Sequence, residues 1–194
     1  LVLSIVLGLS LALMLACAGA LTSTLIGHRW LSASRPVRAA FKRRVLVGVV
    51  GGLAATTAYD LSRLLLVTIA GLRFWPFDTF PRFGYAILGS GASAESALVA
   101  GVIYHWVNGV SFAVGYAILA ERRTWMFGIA GAFGLEALML TLYPRWLDLA
   151  AVGQEFTLVS ATGHLFYGVT LGLIVQRVQL QHLLGSRARS GAFT

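Results

Sequence analysis

This chain is poor in charge, in proline and in cysteine. Asp, Glu, Lys and Arg make up only 11% of its 194 residues. A water-soluble domain carries about a quarter, so an ordinary solvated surface is excluded. Its four prolines, Pro36, Pro76, Pro81 and Pro144, all fall between apolar runs and break none of them as a helix. Cys17 is the single cysteine, which excludes an intrachain disulfide. There is no His-Glu-x-x-His or Glu-x-x-His pair, no glycine-rich phosphate loop, no nucleophile elbow and no dinucleotide fingerprint. The first residue is leucine, so an upstream segment is expected to have been processed or to lie outside the chain. Segment 1–27 lacks a basic leading region and its apolar run exceeds a signal-peptide core, so it reads as a retained span.

What is present is hydrophobic length. Hydrophobic residues reach 58% and the mean hydropathy is +0.81. A spanning helix needs roughly 20 apolar residues, and five segments qualify: about 1–27, 45–71, 97–120, 125–143 and 156–176. The expected fold is therefore an all-α integral membrane protein of five transmembrane helices in one domain, 1–194.

Cation placement sets its direction. Segment 28–44 holds Arg29, Arg35, Arg38, Lys42, Arg43 and Arg44, the 121–124 link holds Arg122 and Arg123, and the tail holds Arg177, Arg187 and Arg189. The outer loop 72–96 holds only Arg73 and Arg82, and the last loop only Arg145. The positive-inside rule then puts the basic loop 28–44 and the C-terminus in the cytoplasm and the N-terminus outside, in a multi-pass protein of the cell membrane. Trp30 and Trp125 fall at inner boundaries, Trp75 and Trp146 at outer ones, as interfacial anchors should. The net charge of +8 thus sets topology and meets anionic lipids rather than nucleic acid. Trp30, Val37 and Phe41 give segment 28–44 the pattern of an amphipathic helix on the inner surface.

Within the apolar runs lie a few ionisable residues, whose burial in hydrocarbon costs at least ~2.5–3.5 kcal/mol each for Asp or Arg. These are Asp60 and Arg63 in one span, His105 in the next, then Glu136 and His164. Converting position to depth at ~1.5 Å per residue places His105, His164 and Glu136 each ~12 Å below the outer boundary, Arg63 ~13 Å and Asp60 ~17 Å. All five can reach one cavity in the outer half of the bilayer. Asp60 and Arg63 share a helix face, as do His105 and Asn108, and Ser160, His164 and Tyr167 form a polar stripe. Gly48/Gly52 and Gly168/Gly172 are small-xxx-small pairs suited to close helix packing.

Two stretches read alike: His105-Trp-Val-Asn-Gly-Val-Ser-Phe112 and His164-Leu-Phe-Tyr-Gly-Val-Thr-Leu171. Each belongs to a span preceded by one bearing a central acid. The pattern suggests two tandem acid-helix/histidine-helix hairpins after an N-terminal helix. The outer loop departs from that symmetry, with an aromatic Phe74–Pro81 run that would sit in the headgroups or cap the cavity, then a flexible Gly89–Ser93.

Several uses of the buried set stay open. His105, His164, Glu136 and Asp60 would make a divalent-metal ligand set, with Arg63 orienting Asp60 and Asn108 and Tyr167 supporting. His105 and His164 would alternatively hold a b-type haem, Gly109 and Gly168 leaving room beside it. The same groups would serve a proton relay or solute path. The structural alternative is an accessory subunit, or one half of a homodimer, in which His105–Glu136 and Asp60–Arg63 are pairs that fix helix register. Tyr59, Tyr104 and Tyr116 read as amphipathic core residues, Glu95 and Glu155 as helix-start acids, and Met126 and Met139 as gap fillers.

Overall fold

The computed structural model describes residues 30–120, 124–146 and 150–190, and its regular structure is helical throughout. In order come α1 (Arg35–Ala70), a 3-10 turn (Pro76–Asp78), α2 (Thr79–Leu88), α3 (Ala94–Leu119), α4 (Met126–Trp146), a second 3-10 turn (Ala150–Val152) and α5 (Gly153–Ser190). Three helices are long and apolar enough to cross a membrane: α1, α3 and the Gly153–Gln181 part of α5. Helix α4 contributes a shorter apolar stretch, Met126–Thr141. The expected first span, 1–27, lies outside the described residues.

Helix α1 departs from the sequence reading, which separates a basic loop 28–44 from a span at 45–71. Between Val37 and Val47 there is no glycine or proline, and Arg, Ala and Lys are strong helix formers, so the span extends backwards through the basic residues. Pro36 sits in the first turn, where its missing N–H costs no hydrogen bond. The 36-residue result is ~54 Å long, well beyond a ~30 Å hydrocarbon core. Gly71, at φ 63°, ends it, and the Leu72 N–H reaches back to the Val67 carbonyl at 3.2 Å.

Contacts divide the chain into two compact units, residues 1–43 with 78–104 and residues 44–77 with 105–194. In the first, the outer segment 72–96 is not all loop. Thr79–Leu88 is helical, with Pro81 tolerated in the first turn. Here α2 and α3 touch backbone to backbone: a Cβ on Gly84 would strike the Ala97 carbonyl, and one on Gly101 the Phe80 carbonyl. Phe83 stacks on Tyr104 with ring centroids 5.2 Å apart. The Ser93 hydroxyl oxygen caps α3 by accepting the Ser96 N–H at 3.2 Å.

The second unit is turned inside out relative to a soluble bundle. Its buried cluster is built largely of small residues, Ala55, Ala113, Ala117 and Ala132, around Tyr167, Leu171 and Val175. Leu46, Val50, Leu53, Leu61, Leu65 and Ile69 of α1 point outward. In lipid the large apolar side chains need no burial, and close approach of small residues supplies the packing. A second cluster, Val67, Phe74, Phe156 and Val159, closes the end near Gly71. There the Glu155 carboxylate accepts the backbone N–H groups of Arg73 (2.7 Å) and Phe74 (2.8 Å), tying the turn after α1 to the start of α5. At the start of α4, the Trp125 N–H donates to Gln176 Oε1 of α5 at 2.7 Å.

Candidate functional site

The ionisable residues of the spans fall within the second unit as two acid–imidazole pairs. Asp60 of α1 accepts from His105 of α3, with Oδ2 3.0 Å from Nε2. Glu136 of α4 lies beside His164 of α5, with Oε2 2.7 Å from Nδ1. The pairing His105–Glu136 considered from sequence is therefore replaced: each histidine meets the acid of the preceding long helix. Short interhelical spacing explains this, since α1–α3 and α4–α5 approach through glycine.

His164 has a defined tautomer. Its Nδ1 also lies 3.0 Å from the Ser160 backbone oxygen, which can only accept, so Nδ1 carries a proton and donates. Glu136 Oε2 receives the Ser160 hydroxyl at 2.6 Å, while its Oε1 is buried with no hydrogen-bond partner among the described residues. Glu136 is 3% exposed, so nothing from solvent shares its charge.

Tyr59 lies between the two pairs. Its ring meets His164 edge-on at 5.0 Å and His105 at 5.9 Å. The Arg63 guanidinium carbon also lies over that ring, 4.5 Å from the centroid. Gly163, adjacent to His164, makes this possible: a Cβ there would fall 2.6 Å from Tyr59 Cε2 and 2.8 Å from Arg63 Cδ. Arg63 Nη1 is 3.6 Å from Asp60 Oδ1, an ion pair longer than a hydrogen bond, so His105 rather than Arg63 holds Asp60 in place.

The supporting residues diverge. Tyr167 does not reach a histidine; its hydroxyl donates to the Gly109 backbone oxygen at 2.6 Å and ties α5 to α3. Asn108 is partly buried one turn beyond His105, and its side chain makes no hydrogen bond among the described residues. Sequence reasoning took Tyr59 for an amphipathic core residue and passed over Gly163; the signal that tied them to the site was adjacency to Asp60 and His164. It also passed over Thr56, whose hydroxyl is buried without a hydrogen-bond partner at the point where a Cβ on Gly109 would fall.

The contacts around the two pairs share a register. Gly52 and Gly128 each stand eight residues before the acid of their helix. A Cβ on Gly52 would meet Ala113, eight residues after His105, and one on Gly128 would meet Gly172, eight after His164. Likewise Thr56 meets Gly109 and Ala132 meets Gly168, each four residues before the acid against four after the histidine.

Among the described residues, no group of three or more His, Cys, Asp or Glu side chains is arranged to hold a metal ion. The four candidate ligands form two pairs instead. Comparison with known protein families, curated proteins and solved structures finds no match. The chain is, on its own evidence, a helical protein with candidate membrane spans and a buried His164–Glu136 ion pair.

Proposed function

We propose that this multi-pass membrane protein binds and passes protons through the two acid–imidazole pairs. The charge count carries the reading. Asp60 and Glu136 bring two negative charges, and Arg63 brings one positive. One further positive charge balances the site, and a proton on an imidazole or a carboxylate supplies it. Leaving the extra negative charge bare in hydrocarbon would cost at least ~2.5–3.5 kcal/mol. His164 and His105 are the groups that exchange this proton, Glu136 and Asp60 are its acceptors, Arg63 is the fixed counter-charge, and Tyr59 lies between the pairs.

The shared register around Gly52, Thr56, Gly128 and Ala132 supports two tandem hairpins as the frame, so that the two pairs are counterparts. The cation distribution along the sequence supports an outside N-terminus and a cytoplasmic C-terminus, with the basic end of α1 near anionic lipid. Metal or b-type haem ligation by His105 and His164 has less behind it, because among the described residues no three His, Cys, Asp or Glu side chains come together as a ligand set. In proteoliposomes enclosing a pH-sensitive dye, an imposed potential should drive proton entry that Glu136→Gln abolishes. Equal proton entry with and without the substitution refutes the proposal.

A further inference from the structure

Arg63 is a buried cation of α1 with an unusual set of contacts. It is 6% exposed, yet among the described residues none of its guanidinium nitrogens makes a hydrogen bond. Its contacts are the 3.6 Å ion pair with Asp60 and two aromatic rings, Tyr59 at 4.5 Å and Phe77 at 5.7 Å from guanidinium carbon to centroid. Aromatic rings engage the faces of a guanidinium and leave its N–H donors, which lie in the plane, unused. Asp60 does not use them either, because its Oδ2 is bonded to His105 and its Oδ1 stays beyond hydrogen-bond range. A buried guanidinium beside two aromatic rings, whose N–H donors make no hydrogen bond among the described residues, is suited to a planar two-oxygen acceptor.

We propose that Arg63 binds the carboxylate of a small or amphiphilic acid, which accepts two parallel N–H bonds of about 2.8 Å, with Tyr59 and Phe77 flanking the apolar part next to the carboxylate. The assignment rests on the geometry of Arg63 and goes beyond the proton reading; the added negative charge requires that the acid enter together with a proton on an imidazole or carboxylate of the site. The carboxylate has two possible sources, an acid dissolved in water or a fatty acid resident in the bilayer, and the chemistry is the same for both.

The test is equilibrium binding of radiolabelled benzoate and, separately, of radiolabelled palmitate to the full chain in phosphatidylcholine nanodiscs, with empty nanodiscs subtracted. Arg63→Gln should weaken binding of at least one acid by ten-fold or more. Arg63→Lys, which keeps the charge but not the fork, should weaken the same acid several-fold. Arg177→Gln, at an exposed arginine of α5, should leave binding unchanged. Loss for benzoate identifies a water-borne acid and loss for palmitate a membrane-borne one; either supports the proposal. If Arg63→Gln does not fold, the Arg63→Lys comparison decides. Binding of neither acid to wild type, or binding unaffected by the folded Arg63 variants, overturns it. Proton entry into proteoliposomes that persists in that case leaves the proton reading standing, so the two ideas fail separately.

Discussion

His164 Nδ1 stands 2.7 Å from Glu136 Oε2 of α4 while its N–H donates to the Ser160 backbone oxygen of α5 at 3.0 Å. This joins α4 to α5 through a buried charge. His164→Ala should therefore destabilise the protein by about 1–2 kcal/mol, the upper range for an interhelical polar contact in a membrane. Reversible unfolding in bicelles measures it. A loss of assembly with no residual folded protein would instead favour the accessory-subunit reading.

Tyr167 bonds Gly109 rather than the site. Tyr167→Phe should cost about 0.5–1.5 kcal/mol through the lost hydrogen bond to the α3 backbone. Proton entry into proteoliposomes should stay unchanged, which separates a packing hydroxyl from a relay hydroxyl.

Glycines of α4 should divide sharply. Gly128 faces the α5 backbone, and a Cβ there would strike Gly168 O, so Gly128→Val should cost at least ~1–3 kcal/mol by overpacking. Gly134 has nothing within 4 Å of an added Cβ, and Gly134→Ala should be neutral or stabilising by up to about 1 kcal/mol. Thermal melts of the two variants side by side read the contrast.

Glu155 clamps two backbone amides across the turn after α1. In Glu155→Gln the amides of Arg73 and Phe74 should exchange hydrogen faster than in wild type, because a neutral amide oxygen is a weaker acceptor than the carboxylate. Hydrogen exchange followed by mass spectrometry resolves that segment. Unchanged exchange would mean that the turn is held by the Phe74–Phe156 contact instead.

Much of this arrangement was legible in the residues themselves. Stranded charge in apolar runs marked Asp60, Arg63, His105, Glu136 and His164, because a group so costly in hydrocarbon stays only where it is paired. The Asp60–Arg63 pair was legible from its spacing, but partner identity between helices was not. Depth along a span says which groups share a level, whereas pairing depends on which helices touch, and that is decided by Gly52 and Gly128 against Ala113 and Gly172. The aromatic run after Phe74 misled in another way: Pro76 and Pro81 suggested loop, yet Pro81 falls in the first turn of α2, where proline is accepted. The basic segment before Val45 read as a separate amphipathic helix, since charge suggested a boundary, while helix propensity carried α1 straight through it.

The most direct measurement of the central claim is the protonation of the two imidazoles in bilayers. Nitrogen-15 NMR of histidine-labelled protein would read it, with the His105 and His164 signals assigned by His105→Gln and His164→Gln. The account expects at least one of the two imidazoles to gain and lose a proton reversibly while the protein stays folded, and Glu136→Gln to change that behaviour at His164. Two imidazoles that each keep a single proton across the whole pH range of the folded state, with Glu136→Gln without effect, would contradict it.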